Sequence, residues 1–401
     1  CYVPLMWEYN NTYLPEWFIG DIVSDDALKG GGSTSDMADA YDMENWRTTS
    51  QNTLLLDFYR AQYQGIARCN LAIKYINNME VGIDEEFTQE MKNRLLGEAY
   101  FLRAYYYFRL VRVYAGVPIT TEVIDNSDKW GIPRSSVEEV YNLIISDLTQ
   151  ANAYLQLRSM MTAEYLGRAP KGAAQAMLLK VNLYMASPYW NKQLTQDAAT
   201  YYAAAKQWGD SIIASGEYTL CPNYEDNFTL AGENGEESIF EIQYMEVPWG
   251  DYGEGFGFTA GSFTQILMRS RSSLIGGGWG FNHPTQNLYN EFEPTDIRRD
   301  VAILNPVDSL IETPSVEIYL GSRYLNNKYG MYRDPVEQGG GYGKWSLHAS
   351  RGPLNNRQIR YADVLLMYAE ACIESGDAAT ALTYINQVRQ RVGLPAIAAA
   401  D

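Results

Sequence analysis

Two residue types in this 401-residue chain could do chemistry on a ligand: aromatic rings set among glycines, and carboxylates. Residues 247–281 hold nine glycines and seven aromatics, including Trp249, Tyr252, Phe256 and Trp279. Glycine frees the backbone to turn tightly, so these rings sit on loops and not on a regular face. A flat ring displayed on a loop suits the C–H face of a sugar, and neighbouring Asp, Asn or Arg side chains can bond its hydroxyls. Three segments supply both ingredients: DMENW at 42–46, VPWGDYGEGF at 247–256 and GGGWGFNHP at 276–284. The candidate ligand contacts are therefore Asp42, Asn45, Trp46, Trp249, Tyr252, Trp279 and Asn282. The competing reading is that these rings fill a core beneath long loops.

The carboxylates do not add up to catalysis. Glycoside hydrolysis needs two carboxyl groups at a set separation across the scissile bond, one with a raised pKa, and nothing marks such a pair. No GxSxG, HExxH, P-loop or dinucleotide glycine pattern occurs, so the expectation is a non-enzymatic protein without a cofactor. His283 and His348 are the only histidines, too few for a His-based metal or triad site. Asp25, Asp26, Asp36, Asp39 and Asp42 could surround Ca²⁺ but lack EF-hand spacing, which favours a solvated loop and no metal. Cys1, Cys69, Cys221 and Cys372 lie too far apart for metal knuckles; two could pair, and Cys69 and Cys372 read as buried thiols. A lipid-bearing Cys1 should be followed by a polar tether, whereas CYVPLMWEYNN reads as folded structure, so a missing upstream segment is expected.

A net charge of −18 argues against the phosphate backbone of nucleic acids as a partner and disfavours docking on anionic lipid through basic residues. No run reaches the length of a membrane span. The 32 tyrosines against 12 phenylalanines point to half-wet helix packing and interfaces.

The elements that must position these residues are helices. Residues 53–79, 94–114, 136–155, 169–185, 200–215, 361–375 and 378–392 carry apolar residues at three- and four-residue steps. Ser135 or Ser136 can cap the third, with Glu138 and Glu139 in its first turn. The second is apolar all round, so it must lie between neighbours. Its Arg103, Arg109 and Arg112 should pair with acids on adjacent helices, Asp147 or Glu370 among them. Small residues Ala99, Ala104, Ala174 and Ala381 sit where helices would cross, as in degenerate tetratricopeptide hairpins. Residues 21–46 read as a Gly/Ser/Asp-rich loop, and 217–356 as a loop-rich insertion with one short strand, SIFEIQY at 238–244.

The wording of several segments goes further. GEAYFLRAYYYFRLVRVYAGVPIT (97–120) and RYADVLLMYAEACIESGDAATALTYINQVRQRVGLP (360–395) resemble the two signatures of the SusD/RagB family of outer-membrane nutrient-binding lipoproteins. YQGIARCN (63–70), VYNLIISDLTQA within 136–155, GRAPKGAAQAMLLKVNLYM (167–185) and WGFNHPTQNLYNEFEPTDIRR within 278–299 follow in the family's order, so the resemblance spans 57–395. It implies a single mainly α domain over 1–401. A tetratricopeptide-like scaffold (53–216 and 357–395) would carry a loop-rich ligand-binding subregion (217–356), with little β structure. It implies a surface-exposed outer-membrane lipoprotein, although no lipid anchor is evident in this chain. The implied role is non-catalytic capture of an oligosaccharide and delivery to a SusC-like TonB-dependent transporter. The alternatives are a peptide-binding relay on the same scaffold or a structural tetratricopeptide-type adaptor. The family's lipid-bearing start and the segment expected after Pro395 are not seen, so both ends are expected to be missing. The resemblance carries over no site residue.

Overall fold

A computed structural model describes residues 1–8, 15–82, 87–126, 130–245, 261–271, 277–305, 322–330 and 352–399. After a 3-10 turn at Val3–Met6, the elements in chain order are α1 (Glu16–Ile19), β1 (Ala27–Gly30), α2 (Ala38–Glu44), α3 (Thr53–Asn78), α4 (Gln89–Tyr114) and α5 (Val137–Tyr154). Then come α6 (Lys171–Ala186), α7 (Pro188–Asn191), α8 (Ala198–Ser215), β2 (Ser238–Ile242), α9 (Thr264–Met268), β3 (Phe281–Pro284), α10 (Gln286–Glu291) and α11 (Arg298–Ala302). The last are β4 (Ile303–Leu304), β5 (Leu325–Asn326), β6 (Asn356–Arg360), α12 (Tyr361–Glu374) and α13 (Ala378–Arg391).

The long helices form one continuous array in which α3, α4, α5, α6, α8, α12 and α13 each pack on the next. Local chemistry sets their ends. Thr88 accepts the Met91 amide to start α4, and Ser136 with Glu139 closes a reciprocal capping box on α5. Ala115 ends α4 at φ 58°, and Gly116 follows because a Cβ there would lie 2.1 Å from the Ser135 carbonyl. Residues 101–111 of α4 are buried without a break, as an all-round apolar helix between α3 and α5 requires.

Close approach of the helices depends on the smallest residues. A Cβ on Gly65 of α3 would stand 2.3 Å from the Tyr106 ring of α4, and one on Gly209 of α8 would stand 2.2 Å from Tyr368 of α12. Ala99 and Ala104 of α4, Ala174 of α6 and Ala381 of α13 are likewise buried.

The arginines of α4 are paired. Arg103 makes a bidentate contact with Asp147 of α5, 2.7 Å on each arm, and donates to Asn70 Oδ1 at 2.9 Å. Arg109 (3.3 Å) and Arg112 instead share Glu16 of α1, a partner outside the long helices. Burial alone would raise the Glu16 carboxyl, but the two guanidiniums outweigh it and hold it at about 2.

Three two-stranded antiparallel sheets join distant segments: β1 with β3, β2 with β6, and β4 with β5. β2 lies inside the 238–244 segment and is buried throughout. It fastens onto the array through Phe240, whose ring meets Phe101 edge-on at 5.0 Å. Residues 21–46 are more ordered than a Gly/Ser/Asp-rich stretch suggests, because β1 and α2 both lie within them. Their order comes from remote partners: β1 is held by β3, and Asp39 accepts the Thr53 amide at 2.7 Å, tying α2 to the start of α3. Asp36 likewise accepts the Gly32 amide at 2.7 Å, so these acids serve the local fold.

The first eight residues are stitched into this assembly. Tyr106 Oη donates to the Cys1 carbonyl at 2.7 Å, and Ala169 N donates to Tyr2 Oη at 3.0 Å. The buried Glu8 carboxylate accepts from Tyr244 Oη (2.8 Å), Ser262 Oγ (3.0 Å), Thr264 N (2.9 Å) and Thr264 Oγ1 (3.0 Å).

Candidate functional site

The candidate cleft is built where α1 and β1 meet α9, β3, the short β4–β5 sheet and strand β6. A second apolar cluster forms its floor: Trp17, Phe18, Ile22, Ala40, Leu267, Met268 and Phe281. Trp17 Nε1 donates to Thr264 Oγ1 at 3.2 Å, and that hydroxyl is itself fixed by Glu8. On β1, Lys29 is fully buried; its ammonium donates to the Ser33 and Asp36 carbonyls at 3.2 and 2.7 Å and lies 5.2 Å over Phe281. Gly30, at φ 69°, lets β1 and β3 close, since a Cβ there would strike the Gly280 carbonyl.

Above this floor opens a cleft of about 620 Å³, within the roughly 300–1,000 Å³ typical of small-ligand sites. Its walls mix polar groups, among them Glu16, Asp21, Asp26, Asn282, Asn326, Lys328, Asn356 and Gln358, with apolar ones such as Trp17, Met268, Leu288, Phe292 and Ile303. Asn282 adopts φ 58° on β3, is buried, and donates from Nδ2 to Asp21 Oδ2 at 2.9 Å. An amide can stabilise that left-handed backbone locally, which other side chains cannot do as well.

Just past the end of α2 stands Trp46. Its ring is 76% exposed, yet it is held: Nε1 donates to the Val23 carbonyl at 3.0 Å, and its backbone sits at φ 54°. Val23 precedes Ser24, which lines the cleft, although Trp46 itself is not among the described lining residues. Around Trp46, Asp42 pairs with Arg47 at 3.1 Å, Arg47 lies 5.2 Å over Tyr41, and Asn45 Nδ2 donates to the Tyr41 carbonyl at 2.8 Å. These residues present a ring, a carboxylate, an amide and a guanidinium on one short surface.

The structure thus brings together Asp42, Asn45 and Trp46 at the end of α2 and places Asn282 apart from them, in the cleft. Trp279 is half-buried against the second cluster, edge-on to Phe263 at 5.4 Å. Trp249 and Tyr252, and with them His348, lie outside the described residues. His283 is buried, its Nδ1 3.2 Å from the Ser322 carbonyl, and burial holds the imidazole below its ordinary range. The four cysteines are free thiols; Cys69, Cys221 and Cys372 are buried, and burial pushes Cys69 up to about 12. Glu16, Asp21, Lys328, Arg357 and Gln358 were not among the sequence candidates. Asp21 and Asp26 fall in the acidic stretch that could have flagged them, but Lys328 and Gln358 carry no sequence signal.

Two family models match the chain. One, described as starch-binding and associating with the outer membrane, covers residues 8–183, and the SusD family model covers residues 236–401. The chain belongs to the SusD/RagB family. Among curated SusD-like relatives, a SusD-like protein of Bacteroides ovatus is 26% identical over 377 residues, covering 90% of this chain. The chain spans 64% of that relative's length. The fold is equally SusD-like. Surface glycan-binding protein A from Bacteroides fluxus superposes with a TM-score of 0.80 at 25% identity, covering 99% of this chain and 80% of its own. A laminarin-binding SusD-like protein gives 0.81 at 25% identity, covering 99% and 83%. As in these relatives, the described architecture is mainly helical. No helix among the described residues is long and apolar enough to cross a membrane.

Proposed function

We propose that this SusD/RagB-family chain is a non-catalytic glycan-capture protein of the outer-membrane surface, and that it hands oligosaccharides to a SusC-like transporter. The observation that carries the reading is Trp46: an exposed indole held in one orientation by the carbonyl of Val23, the residue before cleft-lining Ser24. A pre-oriented ring loses little conformational freedom on binding, so stacking energy is retained. Asp42 and Asn45 flank it with groups that bond hydroxyls, while the cleft takes the next sugars. Glu16 is neutralised by two arginines, which suits a binding wall better than a general acid. The names of the relatives, surface glycan-binding protein and laminarin-binding SusD-like protein, support the same ligand class.

In this reading the helical segments 53–216 and 357–395 form the scaffold and 217–356 supplies much of the ligand region. The 16–46 stretch adds the other wall. A relay needs only micromolar to millimolar affinity, roughly 4–8 kcal/mol.

The test is calorimetry of wild type and Trp46→Ala against a polysaccharide panel, with thermal melting in parallel. The ring is mostly exposed, so the variant should melt within a few degrees of wild type while its glycan affinity falls at least about tenfold, a loss of about 1.4 kcal/mol. Equal affinity in the two proteins refutes Trp46 as the platform.

A further inference from the structure

We infer that the cleft selects uncharged glycans and rejects those bearing carboxylate or sulfate groups; this rests on the glycan-capture reading. The charges lining it are unevenly committed. Arg357 is turned into the protein: Nη1 donates to the Asn355 carbonyl at 2.9 Å, Nη2 to the Thr229 carbonyl at 2.7 Å, and Nε faces Glu241 at 3.3 Å. Lys328 rests its ammonium on rings, 4.6 Å from the Phe228 centroid and 5.9 Å from that of Tyr224. Of the two cations among the described lining residues, Arg357 is thus spent on protein partners, while Lys328 keeps its charge, whose field reaches Asp21. On the acidic side, Glu16 is matched by Arg109 and Arg112, but Asp21 and Asp26 are exposed. Asp21 takes one amide hydrogen bond from Asn282, and among the described residues no cation lies within ion-pair distance of either carboxylate.

The amides complete the pattern. Asn326 Oδ1 accepts the Tyr329 N–H at 3.1 Å and Gln358 Oε1 accepts the Tyr105 hydroxyl, leaving their N–H₂ groups for a ligand's oxygens. A sugar hydroxyl both donates and accepts, so it can give its hydrogen to Asp21 or Asp26 and take one from an amide. A uronate or sulfate ester only accepts. Among the described lining residues it would meet two carboxylates against the one ammonium of Lys328, already within the field of Asp21, and like charges facing each other across an interface are strongly unfavourable. The net charge of −18 acts in the same direction at long range.

The experiment pairs β-1,3-glucan, starch and mannan with their C6-carboxylated counterparts, measured by affinity electrophoresis and calorimetry. Work at about 0.5 M salt shortens the screening length below the roughly 8 Å of physiological buffer, so the protein's overall charge drops out. Any neutral glycan that binds should lose at least about tenfold on carboxylation, as expected when a charge enters a site of like charge. The Asp21→Asn/Asp26→Asn double variant should narrow that gap at least about threefold. Carboxylated glycans binding as well as neutral ones overturn the selection, as does a gap unchanged in the double variant. Failure of every glycan to bind overturns instead the reading of the site as a glycan cleft.

Discussion

Removing Asp147 isolates what the buried charges of the array contribute. The Arg103 side chain is 6% exposed and that of Asp147 is 4% exposed, and the pair closes two hydrogen bonds of 2.7 Å. Arg103 Nη1 retains Asn70 Oδ1 at 2.9 Å and the Thr121 carbonyl at 3.4 Å. Asp147→Ala leaves a guanidinium buried with both of its charged bonds lost, which costs about 3–5 kcal/mol. The double variant Arg103→Met/Asp147→Leu removes the stranded charge. Its remaining penalty is Asn70 Oδ1 without a donor, about 1–3 kcal/mol, offset by the 1–4 kcal/mol that apolar replacement of a buried pair can return. The double variant should therefore lie within about 2 kcal/mol of wild type and be more stable than the single one. Urea titration followed by far-ultraviolet circular dichroism and by tryptophan fluorescence gives the three free energies. An Asp147→Ala cost below about 1 kcal/mol, the worth of an exposed pair, would refute the argument that this contact is sealed from water.

Acid should loosen the junction between α1 and α4. Glu16 has a folded pKa of about 2 against an ordinary value of 4.5, so its stabilisation is complete above the ordinary value and is lost as pH falls through the folded one. Melting temperatures should then fall more steeply between pH 4.5 and pH 2 in wild type than in Glu16→Gln; parallel curves would dissociate Glu16 from the acid response. At Asn282, replacement by Gly preserves the left-handed backbone and deletes only the amide, whereas Ala also strains the chain by about 1 kcal/mol. Asn282→Gly should thus melt above Asn282→Ala while both lose glycan affinity; equal melting of the two would remove backbone geometry as the reason for an asparagine there.

Helices were legible in the sequence because their signals are local. The capping box of Ser136 and Glu139, the stripe of α5 and the unbroken apolar run of α4 each sit within one element. Even one long-range contact was legible, since a buried Arg103 needs an acid and α5 offers Asp147. Non-local pairing was not. Nothing in ALKG at 27–30 announces that it will lie against FNHP at 281–284, and Glu16 as the partner of Arg109 and Arg112 belongs to a four-residue helix. The site candidates divide for the same reason. Trp46 and Trp279 look alike as aromatics near glycine or polar residues, yet one is exposed beside Val23 and the other packs on Phe263. Only the fold assigns a ring to water or to a neighbour.

The stitching of the first eight residues has a consequence for how the chain is made. Glu8 finds its hydrogen-bond partners at Tyr244 and at 262–264, more than 230 positions downstream. During synthesis, a ribosome delivering roughly 5–20 residues per second leaves the Glu8 segment waiting on the order of ten seconds or more. In that interval α3 to α8 can assemble without it, but the wall bearing Thr264 cannot close. The wall bearing Thr264 thus forms only after α3 to α8 have been made, and an upstream carboxylate must stay unengaged until it does. Slow closure of this kind follows from contacts distant in sequence, and it makes Glu8 the residue whose loss would be felt first as a folding defect and only afterwards as lost binding.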